Sequence, residues 1–117
     1  MAFLDTGHLF QTDLANYRVH YFCRSAAGVG QTGLIPTTDI WRVGNAESPA
    51  AAIVTAGAGR TIVEPDATNV PGLYELVLVA GEMTFEGAFT LYIEGGGTAE
   101  PIVLSLKLIP REAWNTG

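Results

Sequence analysis

The sequence predicts an all-β chain, an antiparallel β-sandwich of about seven short strands. Three stretches alternate between two sets of residues with a period of two: Gly72–Ala80, Gly87–Gly95 and Glu100–Ile109. Because successive side chains of a strand point to opposite faces, this period indicates one face in a core and one more polar face. Turn signals rich in glycine and proline recur at intervals of roughly ten residues, which is typical of a sandwich.

Two further strands are predicted in the first part of the chain. Tyr17–Arg24 alternates clearly, and Thr38–Val43 follows a loop of small residues, with Trp41 facing away from Ile40. Aromatic and β-branched residues, which favour the pleated surface, are common in these stretches. The residues expected on the core-facing sides of the clearest strands are Tyr17, Val19, Tyr21, Cys23, Tyr74, Leu76, Leu78, Phe89, Leu91, Ile93, Ile102, Leu104, Leu106 and Leu108.

The middle of the chain alternates less well. Ala50–Thr55 is predicted as a modest strand, Gly57–Gly59 as its turn, and Arg60–Glu64 as the returning strand. Helical periodicity does not extend beyond one turn anywhere, and Glu82–Glu86 is where such a turn is expected.

Both ends of the chain are predicted to be non-strand extensions of the sandwich. The sandwich domain spans 17–109, preceded by an N-terminal arm, 1–16, and followed by a C-terminal tail, 110–117. Each extension carries apolar side chains that either pack on their own domain or dock on a neighbouring subunit. The candidate contact residues in the extensions are Phe3, Leu4, Leu9, Phe10 and Trp114.

The composition indicates one globular domain. Of the 117 residues, 48% are hydrophobic and 15% charged, which is enough apolar content for a core without a metal or a disulfide. Six basic against twelve acidic residues give a net charge of −6, and the basic residues are scattered along the chain. Nucleic-acid binding depends on clustered positive charge, so no nucleic-acid partner is expected.

Targeting signals and disulfides are also not predicted. No stretch approaches the roughly 20 apolar residues that span a bilayer, and no basic segment precedes an apolar run, so we expect no membrane partner and synthesis in a cytoplasm. Cys23 is the single cysteine, which excludes an intrachain disulfide.

Two short patterns resemble catalytic or binding motifs without their structural context. Gly28–Gly33 has the spacing G-x-G-x-x-G, but Leu34–Pro36 follows where a nucleotide site requires a helix, so a loop is predicted. Cys23 and His20 lie three residues apart in a strand and therefore face opposite sides, which prevents a local nucleophile–base pair. No catalytic residue and no cofactor are predicted.

Acidic residues leave one cation-binding alternative open. None lies in a calcium-loop pattern, and two histidines and one cysteine without ligand spacing do not predict zinc. Glu64 and Asp66, together with Asp39 or Glu82, could meet at one end of the sandwich. Solvated loops are the default interpretation, and no metal site is predicted.

Two aromatic residues are candidates for binding. Trp41 and Tyr92, if both face outward, either contact a protein partner or stack on a sugar ring, as carbohydrate modules of the sandwich type do. The protein-contact interpretation is preferred, and Trp41 joins the candidate partner-binding residues.

The order of strands and turn motifs resembles a module of tailed-bacteriophage structural proteins. The motifs are a Thr-Gly-Leu-x-Pro turn at Thr32–Pro36 after a strand, then Gly-x-Tyr-x-Leu at Gly72–Leu76 and Gly-x-Phe-x-Leu at Gly87–Leu91. The resemblance covers about Tyr17–Leu108 and departs at Ala56–Asn69, where the loop is longer than the module's. These motifs are turn and core signatures, so they specify fold better than role.

The resemblance implies an immunoglobulin-like β-sandwich in the virion of a tailed phage. Members of this group serve as immunoglobulin-like parts of baseplates, tail tips, fibres and capsid decorations, and a non-enzymatic structural role is expected for this chain. A small domain with apolar extensions suits a capsid decoration (cement) protein contacting the major capsid protein. A tail or baseplate adaptor contacting tail proteins, a fibre-attachment protein and a carbohydrate- or receptor-binding module remain alternatives, and self-association into a homo-oligomer is left open.

Overall fold

Eight strands, one short 3₁₀ turn and connecting loops make up the residues that the computed structural model describes, 8–11, 17–79 and 87–110. Side chains are described for 17–79 and 87–108. The 3₁₀ turn spans Ile35–Thr37. The strands are β1 (His8–Gln11), β2 (Tyr17–Phe22), β3 (Asp39–Gly44), β4 (Ala51–Val54), β5 (Ile62–Val63), β6 (Leu73–Leu78), β7 (Gly87–Glu94) and β8 (Ile102–Pro110).

The strands form two sheets. One sheet has five strands in the order β1-β8-β7-β3-β4, and the other has three in the order β2-β6-β5. All pairings are antiparallel except β1 with β8, which is parallel. Buried residues from both sheets belong to one hydrophobic cluster, so the sheets pack face to face as a sandwich.

The predicted alternation is confirmed in β2, β6, β7 and the described part of β8. Residues 74, 76, 78, 89, 91 and 93 are fully buried, while the residues between them are more exposed. Fully burying an aliphatic or aromatic side chain contributes on the order of 1.5–3 kcal/mol, so this cluster is the main source of stability. The described core consists of Val19, Tyr21, Cys23, Ile40, Ile53, Val54, Tyr74, Leu76, Leu78, Phe89, Leu91, Ile93 and Leu108.

The N-terminal segment is not wholly free of strand, contrary to the sequence-based prediction. His8–Gln11 forms β1, which pairs in parallel with the end of β8, so that His8 lies beside Lys107 and Gln11 beside Pro110. Four residues with irregular apolar spacing carry too little periodicity to predict a strand, and the pairing depends on a partner about a hundred residues away. Backbone hydrogen bonds to the exposed edge of β8, rather than side-chain pattern, define β1.

The middle of the chain connects the two sheets. The sequence predicts β5 as the returning strand of β4, yet β4 pairs with β3, and β5 pairs with β6 in the other sheet. The turn after β4 is held by a bridge between Thr55 and Ala58, beyond which the chain crosses over. β5, which follows this crossover, is only two residues long, Ile62–Val63.

Several predictions lie outside the described residues. The helical turn expected at Glu82–Glu86 and the candidate contacts Phe3, Leu4 and Trp114 are among them. In the part of the chain that is described, no helix has the length and apolar character needed to cross a membrane.

Candidate partner-binding surfaces

The outward side of the five-stranded sheet carries a row of large apolar residues. Trp41 of β3 lies opposite Tyr92 of β7, and Tyr92 lies opposite Val103 of β8. These residues are 39%, 37% and 60% exposed. Side chains directly opposite on neighbouring strands are about 5 Å apart, so the three form one continuous ridge across the sheet.

The next row on this side is made of smaller residues. Val43, Thr90 and Ser105 are paired across the same three strands, two residues along each strand from the ridge. Ala52 of β4 flanks Trp41 and is exposed as well. These two rows contain no charged residue.

Charges lie at the two ends of this surface. Asp39 and Glu94 are paired directly opposite each other at one end, and Lys107 is paired with Ala88 at the other. We call these four rows together the outer sheet face. Its members are Asp39, Trp41, Val43, Ala52, Ala88, Thr90, Tyr92, Glu94, Val103, Ser105 and Lys107.

A groove of about 520 Å³ lies at the edge of the sandwich, between β2 and β8. Its lining comes from the stretches 20–24 and 100–104, and includes Tyr21. The Tyr21 ring is buried and stacks on Tyr74 with 5.5 Å between ring centroids, while its hydroxyl has no hydrogen-bond partner among the described residues. Burial raises the pKa of this hydroxyl, so Tyr21 stays neutral.

Two of the quoted motifs are joined by one hydroxyl. The Tyr74 hydroxyl donates to the Gln31 carbonyl at 2.7 Å and accepts from the Leu34 backbone N–H at 3.2 Å. Gly-x-Tyr-x-Leu therefore holds the Thr-Gly-Leu-x-Pro loop onto the sandwich. Phenylalanine at this position would leave the Leu34 N–H and the Gln31 carbonyl without this partner, so the hydroxyl has a structural role.

Gly72 begins the same motif where two backbones approach closely. It has φ of +92°, and a Cβ built on it lies 2.6 Å from the Cys23 carbonyl oxygen. Gly30 packs against this turn, since its Cβ would lie 2.1 Å from the Pro71 carbonyl oxygen. The glycines of the G-x-G-x-x-G pattern thus belong to a loop, as the sequence predicts, and the element that follows them, Ile35–Thr37, is a single 3₁₀ turn.

Cys23 does not have the properties of a nucleophile. Its thiol is buried, and burial first and the nearby Glu64 second raise its pKa to about 11. A thiolate is the reactive form, so this raised pKa indicates an inert thiol. His20 is exposed on the other face of β2, where its Nε2 lies 3.2 Å from a carboxylate oxygen of Glu75, so His20 and Cys23 do not face each other.

The acidic residues considered for a cation serve separate loops. Glu64 accepts from the Gly33 N–H at 3.1 Å, and Asp39 accepts from the Ala56 N–H at 2.8 Å. Asp66 accepts from the N–H groups of its own turn, chiefly that of Asn69, and these bonds lower its pKa. Within the described ranges, no group of three potential ligands lies close enough to hold a metal ion.

The predicted contact residues have different outcomes. Trp41 lies on the outer sheet face, as the alternation predicts, and Tyr92 joins it there. Leu9 and Phe10 lie in β1, of whose side chains nothing is described. Val103 and Lys107 were missed as surface candidates, because only the register between β7 and β8 places them beside Tyr92 and Ala88.

Comparison of the chain with protein-family models, with curated proteins and with solved structures found no match.

Proposed function

We propose that this chain is a non-enzymatic structural protein of a tailed-phage virion, and specifically a capsid decoration (cement) protein that contacts the major capsid protein. The proposal rests on the resemblance of its motifs to virion modules. It therefore requires that the strands of this chain be arranged as in an immunoglobulin-like sandwich. Its location would be the virion, after synthesis in the host cytoplasm.

The strand order supports the fold that the resemblance implies. In an immunoglobulin-like sandwich, one sheet contains the strands called G, F and C, extended by C′, and the other contains B, E and D. The order β8-β7-β3-β4 in one sheet and β2-β6-β5 in the other supports this assignment strand by strand. The parallel pairing of β1 with β8 fits a first strand that joins the G strand.

The motif residues support the same assignment because each has a structural role that the module's pattern requires. Tyr74 joins two motifs through its hydroxyl. Phe89 and Leu91 of the third motif are fully buried, and Gly87 begins its strand with φ of +101°.

The charge and the exposed rows favour a partner protein over other ligands. A net charge of −6 opposes binding to nucleic acid, and the outer sheet face offers an uncharged aromatic ridge of the kind that is enriched at protein interfaces.

Quantitative mass spectrometry of purified particles from a phage that encodes this chain tests the proposal. A decoration protein is expected at a copy number comparable to that of the major capsid protein, and cryo-electron microscopy should then place its density on the capsid lattice. Absence of the chain from the particles would overturn the proposal.

A tail or baseplate adaptor, or a fibre-attachment protein, is the alternative within the same class. The same particles distinguish it, because such a protein would be present at a small fraction of the capsid protein's copy number. Its density would lie at the tail.

A carbohydrate- or receptor-binding module is the second candidate, favoured by one observation: Trp41 and Tyr92 are adjacent and exposed. Two adjacent rings facing solvent can stack on sugar rings. A glycan array tests this function. Binding that is lost on Trp41→Ala but kept on Phe22→Ala, a change at an exposed residue on another strand, would support it. An array without signal would exclude it for the glycans presented.

A further inference from the structure

We infer that two copies of this chain pack face to face through the outer sheet face, related by a two-fold axis that runs across the strands. The inference concerns the isolated protein in solution. It does not depend on a role in a virion.

Exposed apolar side chains are concentrated on the outer sheet face. Eight large hydrophobic residues of the described chain are exposed, and four of them, Trp41, Val43, Tyr92 and Val103, lie on this one face. The other four are spread over β2, β5 and two loops. A contiguous apolar patch, unlike scattered residues, marks an interaction site.

The outer sheet face is complementary in shape to the same face of a second copy. The ridge formed by Trp41, Tyr92 and Val103 lies beside the row of smaller residues that contains Thr90 and Ser105. A two-fold axis across the strands, passing between these rows, places each ridge on the smaller row of the partner. An isologous interface requires such self-complementarity. Here each ridge residue meets a smaller residue of the same strand in the other copy: Tyr92 meets Thr90, Val103 meets Ser105, and Trp41 meets Val43.

The charges at the ends of the face also complement those of a second copy. Asp39 and Glu94 lie opposite each other, an arrangement of like charges that destabilises a sheet unless a cation is near. Neither they nor Lys107 forms an ion pair with another described residue. Lys107 lies about 20 Å from the Asp39–Glu94 pair, measured along the strands. The same two-fold axis brings Lys107 of each copy to the partner's Glu94 end.

The size of the face indicates how strong this dimer is. Four strands about 4.8 Å apart and about 20 Å long present on the order of 400 Å² per copy. The two copies together would bury about 800 Å², which is below the roughly 1,200–2,000 Å² of stable interfaces, so a weak, reversible dimer is expected. A second copy is the occupant that the face favours, because the charges at its two ends have opposite sign and are exchanged by the axis.

Sedimentation velocity across a concentration series tests the inference. The unmodified chain should show a concentration-dependent dimer. Lys107→Glu and Glu94→Lys should each weaken it about tenfold, because each dimer contains the contact twice and the reversal turns attraction into repulsion. Arg24→Glu and Glu100→Lys, the same charge changes at exposed positions off the face, should leave it unchanged.

An equimolar mixture of the Lys107→Glu and Glu94→Lys variants is the most direct test of the predicted contact. In a mixed dimer, the glutamate introduced by Lys107→Glu meets the lysine introduced by Glu94→Lys, and the two unchanged residues, Lys107 and Glu94, meet at the other contact. The mixture should therefore dimerise as the unmodified chain does. Trp41→Ala should weaken the dimer while Phe22→Ala does not. A chain that stays monomeric at all concentrations, or a mixture no more dimeric than its components, would overturn the inference.

Discussion

The hydroxyl of Tyr74 accepts a hydrogen bond from the backbone N–H of Leu34, forty residues earlier in the chain. The same hydroxyl donates to the carbonyl of Gln31, so one buried side chain satisfies two backbone groups of a loop. This loop connects β2 with β3, that is, one sheet with the other. Tyr74 therefore contributes to the relative position of the sheets as well as to the core.

Tyr74→Phe should lower the free energy of unfolding by about 1–3 kcal/mol, because both backbone groups of the loop lose their partner while the ring remains. Urea denaturation measures the change. Tyr92→Phe, which removes an exposed hydroxyl, is the control and should stay within about 0.5 kcal/mol. Equal effects of the two changes would contradict the assigned role.

Gly72→Ala should destabilise the fold more than Gly28→Ala. Both glycines have φ near +90°, where a Cβ is strained by roughly 1 kcal/mol or more, but a Cβ at Gly72 also meets the Cys23 carbonyl, while nothing lies within 4 Å of one at Gly28. The difference between the free energies of unfolding of the two variants measures the cost of the contact between a Cβ at position 72 and the Cys23 carbonyl. Similar losses for both variants would mean that the turn relaxes without cost.

Alkaline pH should destabilise the chain. The folded protein raises the pKa of Cys23 to about 11, from an ordinary value of 9.0, and raises that of Tyr21 as well. Between about pH 9 and pH 11 the unfolded chain releases the thiol proton first, so stability falls with a slope of up to about 1.4 kcal/mol per pH unit for each group.

Denaturation curves across the alkaline range measure that slope. Cys23→Ala serves as the control: its slope should be shallower just above pH 9, whatever its stability at neutral pH. An unchanged slope would assign the effect to other groups. A native thiol that reacts with iodoacetamide at neutral pH as fast as the unfolded chain would contradict the burial of Cys23.

Removal of Met1–Gly7, which carries the candidate contact residues Phe3 and Leu4, should leave the domain folded and abolish incorporation into particles. Removal of Met1–Asn16 is a poorer experiment, because it also removes β1 and exposes the end of β8. Circular dichroism checks the fold, and mass spectrometry of particles checks incorporation. Unchanged incorporation would assign the contact to another surface.

Alternation was sufficient to predict the strands that form the core, and insufficient to predict how they pair. The inward residues of β2, β6, β7 and β8 follow from a period of two in the sequence, because burial and the pleat impose it directly. Pairing depends on register and chain crossing, which carry no local signal. The placement of β5 beside β6, instead of β4, is an example.

The candidate surface was predictable in part for the same reason. The outward direction of Trp41 follows from that of Ile40 in the sequence, but its neighbours Tyr92 and Val103 come from strands fifty or more residues away, and only the registers unite them. The charges at the ends of the outer sheet face were likewise unpredictable, since Asp39, Glu94 and Lys107 belong to three different strands.

The pairing of β1 with β8 also affects when the fold is completed. During synthesis the edge that receives His8–Gln11 does not exist until residues 107–110 have left the ribosome. Because pairings between distant segments form slowly, β1 joins the five-stranded sheet at the end of folding rather than at its start. Until then, His8–Gln11 lacks its strand partner.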